Sequence, residues 1–227
     1  MISLVIPTYN EERNIRKCIL RTEAILKIMN EPYEIIVSDD GSTDRTKQII
    51  KSMNIPSLKL ISSKSNFGRG KALKYAYSIS EGRYIIYIDA DLSINPSSIK
   101  EVVHFLKEYP VVIGSKHLPK SILKYSMQRK ILSLIYRNLV NILFGLRISD
   151  YQAGLKGFDK IKVGKYFLSP KANRWSWDTE ILITLKKKNL KIKEIPIEVD
   201  EVGKYSSVKV FRDSLRMFKE LIRMRFL

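Results

Sequence analysis

The runs Ile2-Ser-Leu-Val-Ile6, Glu34-Ile-Ile-Val-Ser38, Leu58-Lys-Leu-Ile-Ser62 and Tyr84-Ile-Ile-Tyr-Ile88 are short and rich in β-branched or aromatic residues. They alternate with segments whose apolar residues recur at helical spacing, over 11–29, 44–53 and 69–80. Strands buried on both faces read as such near-continuous apolar runs. Their alternation with helices across short connections predicts an α/β fold with a mostly parallel sheet flanked by helices. A helix over 97–108 and a strand over 110–115 extend the pattern. At 227 residues the chain suits a single domain, 1–227.

Ligands of parallel sheets bind beyond the carboxyl ends of the strands, so the loops there carry the functional argument. The first is Pro7-Thr-Tyr-Asn-Glu-Glu12, in which Asn10 is placed to cap the next helix, and the second is the acidic turn Ser38-Asp-Asp-Gly-Ser-Thr-Asp44. The third, Asn66-Phe-Gly-Arg-Gly-Lys71, sets two glycines and two cations ahead of a helix, which suits close approach by a phosphate. The fourth is Asp89-Ala-Asp91. Two carboxylates at one strand exit repel unless a cation joins them, and hard Mg2+ or Mn2+ takes such oxygens together with substrate phosphates. Each loop alone has a bland reading as a turn or cap. Four of them on one sheet edge do not.

Charge points to the partner. The chain carries 41 Lys and Arg against 23 Asp and Glu, a surplus of +18 that favours nucleic acid, an acidic membrane or phosphorylated substrates. Residues 115–149 hold seven Lys or Arg and no acid, and Ile131, Leu132, Ile135, Leu139, Ile142, Leu143 and Leu146 follow helical spacing. Near the end, Lys209, Arg212, Arg216, Lys219 and Arg223 run beside Val208, Phe211, Leu215, Phe218 and Ile222. Helices of this kind, over 121–146 and 207–226, suit an anionic bilayer surface. The single Cys18 forms no internal disulfide and reads as a core thiol. No stretch has the 18 or so unbroken apolar residues of a membrane span, and the first residues read as a strand, so the expected location is the cytoplasm, peripheral on a membrane. No helix-turn-helix, zinc spacing or RNA-binding strand supports nucleic acid.

The motifs Val5-Ile-Pro-Thr-Tyr-Asn-Glu11, Glu34 to Asp44, Asn66-Phe-Gly-Arg-Gly-Lys-Ala72 and Asp89-Ala-Asp91 resemble, in order and spacing, the family 2 glycosyltransferases of the GT-A (Rossmann-like) fold. Gly114-Ser-Lys-His117, Gln128 to Ser133, Asp150-Tyr-Gln-Ala-Gly-Leu-Lys-Gly-Phe158, Arg174-Trp-Ser-Trp-Asp-Thr-Glu180 and Glu194 to Glu198 resemble the polyprenyl-phosphate sugar synthases. The patterns at 150–158 and 174–180 are more similar to the dolichyl-phosphate glucose enzymes than to the mannose enzymes. Ser93 departs from many mannose enzymes, which carry Gln there.

The resemblance implies a donor half, 1–115, and an acceptor half, 116–227. Pro7, Tyr9 and Glu11 would border the nucleotide and Asp39 would accept from its base. Asp40, Gly68 and Ala90 would line the same nucleotide-sugar site, Lys71 would add charge at the diphosphate, and Asp89 and Asp91 would hold Mg2+ or Mn2+. Lys116, Arg129, Lys204 and Ser133 would bind the acceptor phosphate. Asp91 and Asp178 are the expected catalytic groups, Asp178 as a base or as an orienting group, with Trp175 and Trp177 beside it. The implied partners are a UDP- or GDP-hexose, a polyprenyl or dolichyl phosphate, an anionic membrane surface, and a membrane-anchoring subunit or second copy. The implied reaction is inverting hexose transfer, glucose from UDP-glucose first. The alternatives are mannose from GDP-mannose, transfer to a saccharide or lipid hydroxyl, and a non-catalytic basic protein binding nucleic acid.

Overall fold

The apolar runs become strands within one or two residues of their expected limits. In chain order the first half holds β1 (Ile2–Thr8), α1 (Ile15–Ile28), β2 (Tyr33–Asp39), α2 (Thr46–Lys51), β3 (Leu58–Ser62), α3 (Arg69–Ile79), β4 (Tyr84–Ile88), α4 (Ser98–Leu106) and β5 (Val111–Ser115). The second half adds β6 (Ile122–Lys124), α5 (Met127–Phe144), β7 (Leu155–Asp159), α6 (Lys160–Val163), a 3-10 turn (Gly164–Leu168), α7 (Ser176–Lys187), β8 (Ile192–Pro196) and β9 (Glu198–Asp200). The computed structural model describes residues 1–124, 127–200 and 219–225. Lys204 and most of the expected 207–226 helix lie outside them; residues 219–225 are helical.

Seven strands form one sheet in the order β3-β2-β1-β4-β7-β5-β8, and β6 pairs with β9 in a separate ribbon. All neighbours in the main sheet are parallel except β7, which runs antiparallel between β4 and β5. The apolar pattern does not announce β7, because its middle residues are Lys156 and Gly157. Gly157 is required by packing, since a Cβ there would stand 2.4 Å from Val102 Cγ1 of α4. The opposite neighbour, Lys156, is fully buried.

Each sheet face carries its own apolar cluster. Ile15, Cys18, Ile19 and Leu26 of α1, Ile50 of α2 and Ile99, Val102 and Leu106 of α4 cover one face; Leu73, Ala76 and Tyr77 of α3 and Trp177, Ile181 and Leu182 of α7 cover the other. Each fully buried Ile or Leu contributes about 1.5–3 kcal/mol relative to exposure. Cys18 is buried as expected.

Two local expectations are corrected. Asn10 does not cap α1, which starts four residues later than the pattern suggests. Asn10 has φ +55° and ties two loops together, its N–H donating to Ser42 Oγ at 2.9 Å and its Oδ1 accepting from Thr43 N at 2.8 Å. Glu11 N and Glu12 N likewise donate to Thr46 Oγ1 (2.8 Å) and Asp44 Oδ2 (3.1 Å), which draws 11–14 out of the helix. The expected 121–146 helix is split into β6 and α5, because β6 is recruited by β9.

Candidate active site

The strand register brings the loops to one edge: Thr8 of β1 lies beside Asp39 of β2, which lies beside Ser62 of β3. Asp39 is buried and its carboxylate is fixed by Ser42 N (3.2 and 3.3 Å) and Ser62 Oγ (2.6 Å). Tyr9 is exposed on the same edge and Pro7 is half-buried.

Asp40, expected to line the nucleotide-sugar site, is engaged by the backbone of the third loop. It is buried and accepts from Phe67 N (2.9 Å) and Gly68 N (2.7 Å), so it pins the third loop to the second. Burial raises its carboxyl above the ordinary range against the pull of those two N–H groups. Gly68 adopts φ +108°, and a Cβ on it would lie 2.4 Å from Asn173 O. The 170–177 segment thus clamps the glycine loop, with Arg174 Nη1 donating to Asn66 Oδ1 at 3.2 Å and Lys71 N to Asn173 O at 3.2 Å. Gly70 completes the clamp, because a Cβ there would stand 2.4 Å from Trp177 Cβ.

Of the two cations in this loop, Lys71 is the one expected at the diphosphate. Lys71 is exposed, with its ammonium 3.6 Å from the centre of the Phe67 ring. Arg69 faces inward instead. Its Nη1 donates to Asp89 Oδ1, its Nε lies 3.3 Å from Asp178 Oδ2, and its guanidinium rests 5.2 Å from the Tyr87 ring centre and 5.4 Å from that of Trp175. Nη2 and Nε are buried without a hydrogen-bond partner.

Asp178 lies beneath the site at 2 % exposure. Its Oδ1 accepts from Lys156 Nζ (2.7 Å) and from the Tyr87 hydroxyl, and Lys156 Nζ also donates to Ala153 O at 2.7 Å. Burial alone would raise the Asp178 carboxyl; Lys156 and Arg69 outweigh it and hold the group below its ordinary value. Burial lowers the Lys156 ammonium despite the pair. An ionised acid with its oxygens engaged this way orients cations and is a weak proton acceptor. Of the two roles expected for Asp178, base or orienting group, this geometry suits the orienting one.

Asp89 is partly open, and burial pushes its carboxyl up to about 6, Arg69 opposing and Asp91 and Asp178 adding. Burial also raises Glu11; its hydrogen bond from Asn14 opposes this, and Asp91 and Asp89 raise it further. Asp91 Oδ1 accepts from Ser93 N at 2.8 Å, a bond that spans Leu92 (φ +56°) and orients the carboxylate. Ala90, expected at the donor, packs into the core beneath. Gly154 leaves the room that Asp89 uses, since a Cβ there would lie 2.4 Å from Asp89 Oδ2.

This donor set fits a hard divalent cation: it is oxygen-only and doubly acidic, with Asp89 held against Arg69 and Asp91 half-exposed beside it. Among the described residues no three His, Cys, Asp or Glu side chains converge as a complete cage. Asp89 and Asp91 would therefore hold the ion with remaining positions left to phosphate and water.

Of the residues expected at the acceptor phosphate, Lys116 and Ser133 lie near the end of β5. Lys116 Nζ pairs with buried Asp150 at 3.1 Å, and Ser133 Oγ of α5 meets His117 Nε2 at 2.8 Å. Burial lowers the His117 imidazole below its ordinary value. Arg129 belongs to the same helix, one turn before Ser133. The sequence reading missed Arg69, Tyr87, Lys156, His117 and Asp150. Arg69, Lys156, His117 and Asp150 all stand within the motifs that carry the family resemblance, but nothing in the sequence gives their partners.

Residues 3–167 match the profile of Glycosyl transferase family 2. The chain is 33 % identical over 251 residues to a dolichyl-phosphate beta-glucosyltransferase of Saccharomyces cerevisiae, covering 99 % of this chain and 74 % of that protein. The glycosyltransferase AglD of Haloferax volcanii is 28 % identical over 228 residues, 98 % of this chain and 36 % of AglD, so the chain spans about a third of that relative. In shape it resembles glucosyl-3-phosphoglycerate synthase from Mycobacterium tuberculosis, crystallised with Mn2+, UDP and glucosyl-3-phosphoglycerate. The TM-score is 0.73 at 19 % identity, with 98 % of this chain and 77 % of that one covered.

Proposed function

The chain belongs to glycosyl transferase family 2, and we propose that it transfers glucose from UDP-glucose to a dolichyl or other polyprenyl phosphate, with inversion. The single observation that carries this is similarity to a dolichyl-phosphate beta-glucosyltransferase along nearly the whole chain, 33 % identity over 99 % of its length. The chemistry of the site agrees. A phosphate monoester is largely ionised at neutral pH, with a second pKa of about 6, so its oxygen attacks without a base. Asp178, engaged by Lys156 and Arg69, is suited to holding cations rather than taking a proton.

The acceptor oxygen forms a bond to the anomeric carbon as the bond to the diphosphate oxygen breaks, through an oxocarbenium-like transition state. A divalent ion held by Asp89 and Asp91 would supply charge stabilisation at the departing diphosphate. Asp39 orients the base, Tyr9 and Pro7 border it, and Lys116 and Ser133 hold the acceptor phosphate, Asp150 and His117 fixing their positions. Arg129 and Lys204 add cations. Transfer of label from UDP-glucose into an organic-extractable lipid, abolished by EDTA, is the expected result; label from GDP-mannose instead would assign mannose. Binding of UDP without any lipid product would overturn the acceptor.

The site also has to meet a lipid. No helix among the described residues is long and apolar enough to cross a membrane. Met127, Ile131, Ile135 and Ile142 form an exposed stripe on α5, 50–81 % accessible, on a helix without acidic residues that also bears Lys130 and Arg137. The other side of α5 packs on the core through Tyr136, Leu139, Val140 and Leu143. We assign the stripe to the surface of an anionic bilayer, where apolar insertion and basic charge act together. The wild-type chain should sediment with vesicles containing anionic phospholipid. Ile135→Asp with Ile142→Asp should remain in the supernatant while the melting temperature stays within a degree or two, because both residues are solvent-exposed. Equal sedimentation of the variant would discount the stripe.

A further inference from the structure

Lys156, Asp178, Arg69 and Asp89 form an unbroken series of alternating charges from the buried middle of β7 to the open edge: Lys156 Nζ to Asp178 Oδ1 at 2.7 Å, Asp178 Oδ2 to Arg69 Nε at 3.3 Å, and Arg69 Nη1 to Asp89 Oδ1. The inner three are nearly closed to solvent, with side-chain exposures of 0 % for Lys156, 3 % for Asp178 and 11 % for Arg69, whereas Asp89 is 26 % open. The cation at the outer end of this series therefore occupies an oxygen of one of the two carboxylates that would hold the metal.

Resting on the assignment of Asp89 and Asp91 as metal carboxylates, we infer that Arg69 is the counter-ion a divalent cation must displace from Asp89. The guanidinium so released then donates to the diphosphate of the bound nucleotide. Two features favour the exchange over a permanent ion pair. First, Nη2 of Arg69 is buried without a hydrogen-bond partner, an arrangement that is costly until an acceptor arrives. A phosphate oxygen is the acceptor that a planar guanidinium fork best fits. Second, Tyr87 and Trp175 lie against the guanidinium at 5.2 and 5.4 Å, and Asp178 tethers its Nε side, so that the Nη end is the part left to turn from Asp89 towards the ligand. Asp178 and Lys156 are positioning residues in this scheme. The device links the two ligands: a metal arriving alone has to break the Arg69–Asp89 contact without return, whereas a metal arriving with the diphosphate gives Arg69 a new partner.

The test is Mn2+ binding to the purified full chain, followed by the electron paramagnetic resonance of the free ion, with and without UDP. Arg69→Gln should bind Mn2+ without nucleotide about three- to tenfold more tightly than wild type, because a neighbouring like charge is gone. Addition of UDP should then improve Mn2+ binding less than it does in wild type. A structural defect alone would weaken metal binding, not strengthen it. Unchanged or weaker Mn2+ binding in a variant that melts like wild type would overturn the inference. Asp91→Asn separates the two readings: Mn2+ binding that survives this change undamaged removes the metal assignment itself. Should Arg69→Gln not fold, [15N]arginine side-chain spectra of the wild-type chain decide, with the Arg69 signal identified by its loss in Arg69→Lys. A shift of that signal on adding Mg2+ and UDP is expected, and an unmoved signal at saturation refutes the exchange.

Discussion

Asp178→Asn is expected to destabilise the chain by about 3–5 kcal/mol, the usual cost of removing one partner from a buried charge pair. The carboxylate is 2 % exposed and accepts from Lys156 Nζ at 2.7 Å while lying 3.3 Å from Arg69 Nε. Asparagine keeps the shape and presents an amide N–H to one of these cations. Lys156, fully buried, is then left as an uncompensated ammonium or must lose its proton. Denaturant unfolding followed by circular dichroism measures the loss. Lys156→Met should also destabilise, whereas the double variant should recover much of the loss, because the methionine stem fills the lysine's volume without its charge. Additive losses in the double variant would show that the two residues act separately. The same series separates stability from chemistry: per folded molecule, Asp178→Asn should lose far less transfer rate than a change at Asp91. Equal collapse of both rates would instead mark Asp178 as a true base and the acceptor as a hydroxyl.

The contrast between Asp178 and Asp91 illustrates which parts of the site are legible in sequence. β1 to β5 and the four loops were readable because continuous apolar runs have one stable environment, a sheet covered on both faces, and because short polar loops can only lie at its edges. Asp89 and Asp91 were readable for the same reason: they end a run that must be buried. β7 was not, because Lys156 and Gly157 interrupt its apolar character, and each is explained only by a neighbour distant in sequence, Asp178 for one and Val102 for the other. Which of Arg69 and Lys71 turns inward was not legible in the sequence. Both residues start α3, but Trp177 packs on Gly70 and Asn173 on Gly68, which fixes the loop so that Arg69 turns inward and Lys71 outward. Asp40 was placed at the nucleotide-sugar site by resemblance; its backbone partners at Phe67 and Gly68 appear only in three dimensions. Lys116 and Ser133, 17 positions apart, were placed near one another by resemblance, and the fold supplies the reason, since the end of β5 meets the start of α5 through the His117–Ser133 contact at 2.8 Å.

Asp91→Asn is expected to lower the transfer rate by about two to three orders of magnitude, the range found when a group stabilising charge in the transition state is removed. The change leaves folding nearly intact. Asp91 is half-exposed, and its one recorded bond, accepted from Ser93 N at 2.8 Å, is kept by the Asn carbonyl oxygen if the amide is oriented accordingly. What the variant loses is negative charge at the open side of the site, where Glu11 and Asp89 already crowd their carboxylates. A neutral amide oxygen is a weaker ligand for a hard cation, so the Mn2+ concentration giving half-maximal rate should rise along with the fall in rate. The two effects together discriminate. A fall in rate with unchanged metal dependence would place Asp91 at the sugar rather than the metal, and a melting temperature several degrees lower would return it to the capped-turn reading. Asp89→Asn should raise the metal requirement in the same direction while differing in one respect: it also removes the partner of Arg69, so its loss of stability should exceed that of Asp91→Asn. The pair of variants therefore divides the Asp89-Ala-Asp91 motif by function, with Asp91 serving the metal alone and Asp89 serving the metal and the charge series that runs down to Lys156.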